Sequence, residues 1–179
     1  MVTATWSDSG AAYDAAASTP DPELPMLTVA DLGILRDVEM GGDGVTVTIT
    51  PTYSGCPAMR EISADITRRL AAAGFAPVTV KTQLAPAWSR DWITAEGHRK
   101  LAAAGIAPPA PAPAYRAGGA GGRPGPVPLT LSFGPPQTLD CPHCGSARTR
   151  RTAEFSATAC KSLYRCDDCG EPFEGVKSL

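Results

Sequence analysis

The chain has 179 residues, six cysteines, two histidines and a formal net charge of −2, a length that suits one mid-sized core or two small ones. The near-neutral balance supplies no general attraction for nucleic acid or anionic lipid, partners that call for a basic face. The opening stretch, MVTATWSDSGAAYDAAASTP, has neither a basic start nor a continuous apolar run, so it reads as neither signal peptide nor membrane anchor. Residues 1–20 are therefore expected to form a loose tail. The expected setting is cytoplasmic, where paired cysteines serve as metal ligands or redox groups more often than as disulfides.

The first module is expected over residues 21–106. Its leading segment, TPDPELPML at residues 19–27, sets Asp21 and Glu23 between prolines that restrict the backbone and hold both carboxylates on an extended loop. By itself the signal is weak, since rigid acidic loops are usually solvated turns. LRDVEM, GGDG and the alternation of Val45, Val47 and Ile49 with Thr46, Thr48 and Thr50 predict a hairpin with one buried face. The chain then runs through TPTYSGCPAMREI, residues 50–62. Met59, Ile62, Ile66 and Leu70 recur at helical spacing, Gly74 supplies a left-handed stop, and Pro57 suits a first helical turn. Cys56 is thus expected at or next to the N-cap. Residues 75–84 alternate again, with Val78, Val80, Thr82 and Leu84 on one face, and a helix between two strands predicts a βαβ crossover. A turn and a short helix over 94–104, closed by Gly105, complete the module. Trp88 and Trp92 read as packing residues, or as a docking surface if exposed. The fold class is α+β: a small mixed-sheet α/β sandwich followed by a C-terminal zinc-ribbon hairpin.

Residues 107–128 are almost wholly Pro, Ala and Gly, which offers no apolar periodicity, and a linker is expected over residues 107–136. Residues 137–179 are too short and too polar to fold on packing alone. Their staple is CPHCG at 141–145 and CDDCG at 166–170. Two residues between thiolates let both sulfurs face one ion, and the following glycine allows the tight turn. Cys141, Cys144, Cys166 and Cys169 are expected to hold one structural Zn per chain in a closed tetrahedron, with an iron site or redox pair as the functional alternative. ARTRRTAEF and ATACKSLYRC are expected to be the two strands of the hairpin. His143 reads as a surface residue. Cys160, a fifth thiol in this module, is either a buried strand cysteine or an auxiliary ligand. Six basic residues are matched by six acidic ones between residues 137 and 179, which disfavours phosphate-driven binding, although Arg148, Arg150 and Arg151 could form a local patch.

Cys56 carries the remaining chemistry. A sulfur at a helix N-terminus meets unsatisfied N–H groups, which lower its pKa and favour the thiolate; Thr52 and Ser54 could add hydroxyl hydrogen bonds. Such a thiol is a metal ligand or a nucleophile, an inert capping cysteine being the plain alternative. Neither His98 nor His143 lies near it in sequence, so no Cys-His arrangement supports general-base catalysis.

The segments DPELPMLTVADLGILRDVEM, TPTYSGCP, PAWSRDWITAEGHRKLAAAGIAPP and CPHCGSARTRRTAEFSATACKSLYRCDDCGEPF together resemble the accessory D (or J) subunits of bacterial phenylacetyl-CoA epoxidase systems. The first module resembles the wider family of small iron–sulfur assembly and targeting proteins, marked by Asp-Pro-Glu and Thr-x-x-x-Cys-Pro. Here these are Asp21, Pro22 and Glu23, then Thr52, Cys56 and Pro57. The resemblance implies a non-enzymatic factor in aerobic phenylacetate degradation that helps mature the metal centres of the oxygenase or reductase subunits, its partners. Transient iron or an iron–sulfur cluster would pass through Cys56, with Asp21, Glu23 and Thr52 beside it. The chain has no pair of ExxH helices and no flavin or nucleotide fingerprint, so it is not expected to be the oxygenase itself. Two other readings stay open: a structural adaptor of the epoxidase, and a regulatory ribbon that binds nucleic acid. Open too are the species handled, whether iron, [2Fe-2S] or [4Fe-4S], and the oligomeric state, a homodimer included.

Overall fold

The computed structural model describes residues 6–53, 55–109 and 138–177. Strands β1 (Leu35–Gly41) and β2 (Gly44–Ile49) form the hairpin, antiparallel with Val38 opposite Val47 and Gly41 opposite Gly44. Val45, Val47 and Ile49 are buried, because the period-2 alternation puts every second β2 side chain on the core face. Helix α2 (Met59–Ala72) follows, and β3 (Val78–Thr82) returns parallel to β2, giving the order β1-β2-β3. Ile62, Ile66 and Leu70 are the buried stripe of α2. Each such burial contributes about 1.5–3 kcal/mol relative to an exposed side chain.

Three expectations change here. The helix starts at Met59 with Ala58 as its N-cap, so Cys56 and Pro57 lie in the preceding turn rather than at the cap. On β3 only Val78 and Val80 pack against the core; Thr82 is exposed and Leu84, beyond the strand, is 58% exposed. The supposed loose tail is helix α1 (Trp6–Ala17), which packs on α2 and β1 with Ala12 and Ala16 fully buried. Alanines at i and i+4 form a narrow contact strip that lets two backbones approach, and no apolar periodicity announces it.

A short 3₁₀ turn (Arg90–Trp92) leads to α3 (Ala95–Ala103), capped by the Thr94 hydroxyl, which accepts the Gly97 N–H. The Trp88 indole N–H donates to the Leu32 carbonyl at 2.8 Å, and the Arg36 guanidinium lies 3.5 Å from the Trp92 ring centre. Both tryptophans are thus packing residues.

The second module is larger than the expected hairpin. Strands β5 (Thr149–Ala153), β6 (Lys161–Cys166) and β7 (Pro172–Val176) form a meander, and β4 (Ile106–Ala107), at the end of the first module, adds to it parallel to β7. Tyr164 and Phe173 stack at 5.5 Å over Leu139, Cys141 and Cys166. Val176 enters the core of the first module. The first knuckle sits against the end of α3: Gly105, at φ +69°, leaves room for the His143 ring, which a β-carbon there would meet at 3.2 Å. Residues 110–137, most of the expected linker, lie outside the described residues, as does Ser54.

One polar link ties α3 to the turn before β1. Asp31 Oδ2 accepts the Thr28 N–H at 2.9 Å and the Lys100 ammonium at 2.7 Å, while the Thr28 hydroxyl accepts the Asp31 N–H. Burial would raise the Asp31 carboxyl, but Lys100 and Thr28 outweigh it and hold it below its ordinary value. A depressed carboxylate stabilises above its unfolded pKa of ~3.9 and loses that contribution as pH falls through the folded value. Asp31→Asn is therefore expected to cost about 1–3 kcal/mol at neutral pH. Denaturant unfolding should show the gap between variant and parent closing below about pH 4.

Candidate functional site

Two sulfur-bearing sites stand out. In the ribbon, the sulfurs of Cys141, Cys144, Cys166 and Cys169 all lie within 4.8 Å of one another. Cys141 and Cys169 are 3.7 Å apart, and Cys144 and Cys166 3.6 Å, close to the ~3.8 Å edge of a tetrahedron built on ~2.3 Å metal–sulfur bonds. The knuckle amides face the sulfurs as their glycines predict. The Cys169 N–H, with that of Asp168, pulls Cys166 down to about 7. Cys144 is pushed up to about 12 despite the Ser146 N–H, because burial and three neighbouring sulfurs outweigh it. Four thiolates this close are incompatible without a cation among them, and the four donors fit a closed metal site of the zinc-ribbon type.

Three arginines near this site each lie beside a carboxylate at the surface. Arg148 pairs with Asp168 at 3.1 Å, Arg150 with Asp167 at 3.1 Å and Arg151 with Glu154 at 2.7 Å. All six cysteines are free of disulfides, and no helix among the described residues is long and apolar enough to cross a membrane.

The second site lies between the modules. Asp21, Glu23, Thr52 and Cys56 line one pocket, together with Trp88 and, from the ribbon, Cys160. The Asp-Pro-Glu segment is a closed turn rather than an extended loop. Pro20 bridges to Thr28, and Asp21 Oδ1 accepts the Glu23 and Leu24 N–H groups at 2.8 and 2.9 Å. The Asp21 carboxylate thus holds the turn that presents Glu23. Glu23 Oε2 in turn accepts the Cys160 thiol at 2.9 Å, a contact across 137 positions of sequence that no local pattern could announce. Its only sequence trace is a fifth thiol outside the CxxC pairs.

The electrostatics of Cys56 reverse the expectation. The Ala58 and Met59 N–H groups do lower its pKa, as the helix start should. Burial outweighs them, and the Glu23 and Asp21 carboxylates add to it, so the thiol is raised above its ordinary value. Burial and the hydrogen bond to Glu23 push Cys160 up to about 12. Burial raises Asp21 as well. At neutral pH both thiols are protonated, and a cation must displace those protons to bind.

Comparison with known proteins follows the same division. Residues 12–81 match the family described as iron-sulfur cluster assembly protein, and residues 126–177 the PaaD zinc beta ribbon domain. An Escherichia coli (strain K12) protein, provisionally named as the D subunit of 1,2-phenylacetyl-CoA epoxidase, is 41% identical over 160 residues, covering 89% of this chain and 87% of that one. A Porphyromonas gingivalis (strain ATCC BAA-308 / W83) protein named Fe-S protein maturation auxiliary factor is 36% identical over 83 residues, 45% of this chain and 78% of its own. The crystal structure of a domain of unknown function, DUF59, from Bacillus anthracis aligns with a TM-score of 0.49 at 24% identity, over 52% of this chain and 90% of that one.

A protonated, half-buried Cys56 should alkylate slowly. In zinc-replete protein, iodoacetamide labelling followed by peptide mass spectrometry is expected to show Cys56 reacting more slowly at pH 7 than an unhindered thiol, accelerating only in alkali. Glu23→Gln removes one raising charge and should speed the reaction at neutral pH.

Proposed function

The chain belongs to the family of the D subunits of 1,2-phenylacetyl-CoA epoxidase, and from that premise we propose that it is a non-catalytic accessory component. It assists assembly of an iron or iron–sulfur centre in the oxygenase or reductase of the epoxidase, in the cytoplasm. The observation that carries this reading is the convergence of Cys56, Glu23 and Asp21 with a second thiol in one pocket, on a domain matching the iron-sulfur cluster assembly family. Thiolate and carboxylate donors suit iron. Because each thiol holds its proton at neutral pH, the cargo competes with protons and is bound less tightly than a preformed thiolate cage would bind it. That favours transfer to a client.

The ribbon, on this reading, carries one structural Zn on Cys141, Cys144, Cys166 and Cys169 and acts by docking protein rather than nucleic acid. The balance of basic and acidic residues in the ribbon, with Arg148, Arg150 and Arg151 each beside a carboxylate, supports that choice, since phosphate binding calls for a basic face.

Co-expression of Cys56→Ala with the epoxidase subunits tests the proposal. The variant is expected to fold and keep its zinc, while the oxygenase or reductase purifies several-fold short of iron. Full iron occupancy of both clients would overturn it. Metal analysis of the parent chain should find one Zn per chain whether it is purified in air or reconstituted anaerobically, with iron only in the second case.

A further inference from the structure

We propose that the pocket between the modules binds one thiophilic divalent cation of the Fe²⁺ class and that the ribbon completes the site, Cys160 supplying a second thiolate to join Cys56 and Glu23. This deepens the hand-over reading and rests on it. A chain with Cys56 alone would offer one sulfur; the fold brings a second from the other module into the same cavity. The Cys160 thiol is aimed at Glu23 Oε2 at 2.9 Å, so a proton now bridges a sulfur–oxygen pair that a cation can bridge instead.

A water-sized body has about 20 Å³ of room between the lining side chains, above the roughly 10–15 Å³ that one requires, so a single ion is accommodated. Two sulfurs and one carboxylate select Fe²⁺, Co²⁺ or Zn²⁺ over Mg²⁺ or Ca²⁺, which take all-oxygen shells. Two thiolates and a carboxylate around a divalent ion leave one negative charge; the two nearby ammonium groups are engaged with other carboxylates, Lys161 with Glu174 at 2.7 Å and Lys177 with Glu154 at 3.6 Å. Asp21 is a positioning residue, its carboxylate tied to the Glu23 and Leu24 amides.

Loading is a proton exchange. As each sulfur–metal bond forms, that thiol releases its proton to solvent, two per cation, and Glu23 exchanges its hydrogen bond from Cys160 for the metal. Among the described residues only the ribbon cysteines stand within 4.8 Å of one another as a ligating group of three or more. The second set therefore closes on its ion by side-chain rotation, and three protein donors leave a position for a client ligand. Cys160 is anchored where it can take part, its carbonyl accepting the Lys177 N–H at 2.9 Å.

The full chain with its ribbon zinc in place, kept anaerobic, is titrated with Co²⁺, whose sulfur-to-metal charge-transfer band reports thiolate ligands. The parent is expected to take one further Co²⁺, with that band and with release of about two protons per ion in weakly buffered solution. Cys160→Ser should keep its zinc, lose about half of the band, release about one proton and bind at least about tenfold more weakly. Glu23→Gln should keep the full band yet also bind more weakly. A parent without the band, or a Cys160→Ser variant that matches the parent in band and proton count, overturns the inference. Should Cys160→Ser lose its zinc, Glu23→Gln decides, and unchanged affinity overturns it. If Cys160→Ser matches the parent while Cys56→Ala still starves the clients of iron, this inference fails and the hand-over reading stands. If the band halves while the clients of Cys56→Ala fill normally, the cation site stands and the hand-over reading fails.

Discussion

The seating of the ribbon on the first module is the constraint on which the rest depends. A segment of this size cannot bury enough surface to offset its own conformational entropy, and its Tyr164–Phe173 core is small. It is held from two ends. The four-cysteine site ties the knuckles together, and β4 extends the ribbon sheet from the first module through Ile106 opposite Glu174 and Ala107 opposite Gly175. Val176 closes the arrangement by entering the first core. A two-residue strand adds little energy itself, yet it fixes where Cys160 stands relative to Glu23.

That position decides the chemistry of the pocket through a contest of magnitudes. A helix start favours a nearby negative charge by about 0.3–1 kcal/mol at an exposed position, whereas taking an ion out of water costs several kcal/mol. Cys56 sits half-buried beside two carboxylates, so desolvation wins and the thiol keeps its proton. In the ribbon the contest goes the other way at Cys166, where two knuckle amides point at one sulfur. Six cysteines thus divide into four whose sulfurs are gathered in one closed group and two that line a pocket beside carboxylates.

Periodicity makes the first module legible. The threonine–valine alternation of β2, the Ile62, Ile66 and Leu70 stripe and the left-handed glycine after α2 each have one local solution. CxxC spacing does the same for the metal site. What escapes is non-local or featureless: α1 buries alanines, β4 has two residues, and β7 is written PFEGV, with a proline and a glycine that argue against a strand. The helix start is ambiguous in sequence because a proline suits both the first helical turn and the turn that precedes a helix, where Pro57 lies. The candidate pocket is half legible. Asp21, Glu23, Thr52 and Cys56 come from motifs, whereas Trp88 joins them through the packing of the first module and Cys160 only through the docking of the ribbon.

A site shared between modules has a consequence for release. Were Cys56, Asp21 and Glu23 the whole pocket, cargo would be held by one rigid body, and letting go would require a ligand to dissociate unaided. With one sulfur on the ribbon, affinity for the cation and affinity between the modules are linked, because each bound state stabilises the other. On the proposed reading, a client that competes for the ribbon surface would weaken the hold on the ion without touching it. The coupling would also run in reverse, so that a loaded pocket would present the ribbon in a firmer orientation than a protonated one. Docking and delivery would then be two faces of one equilibrium, set by whether the position beside Glu23 holds a proton or a metal.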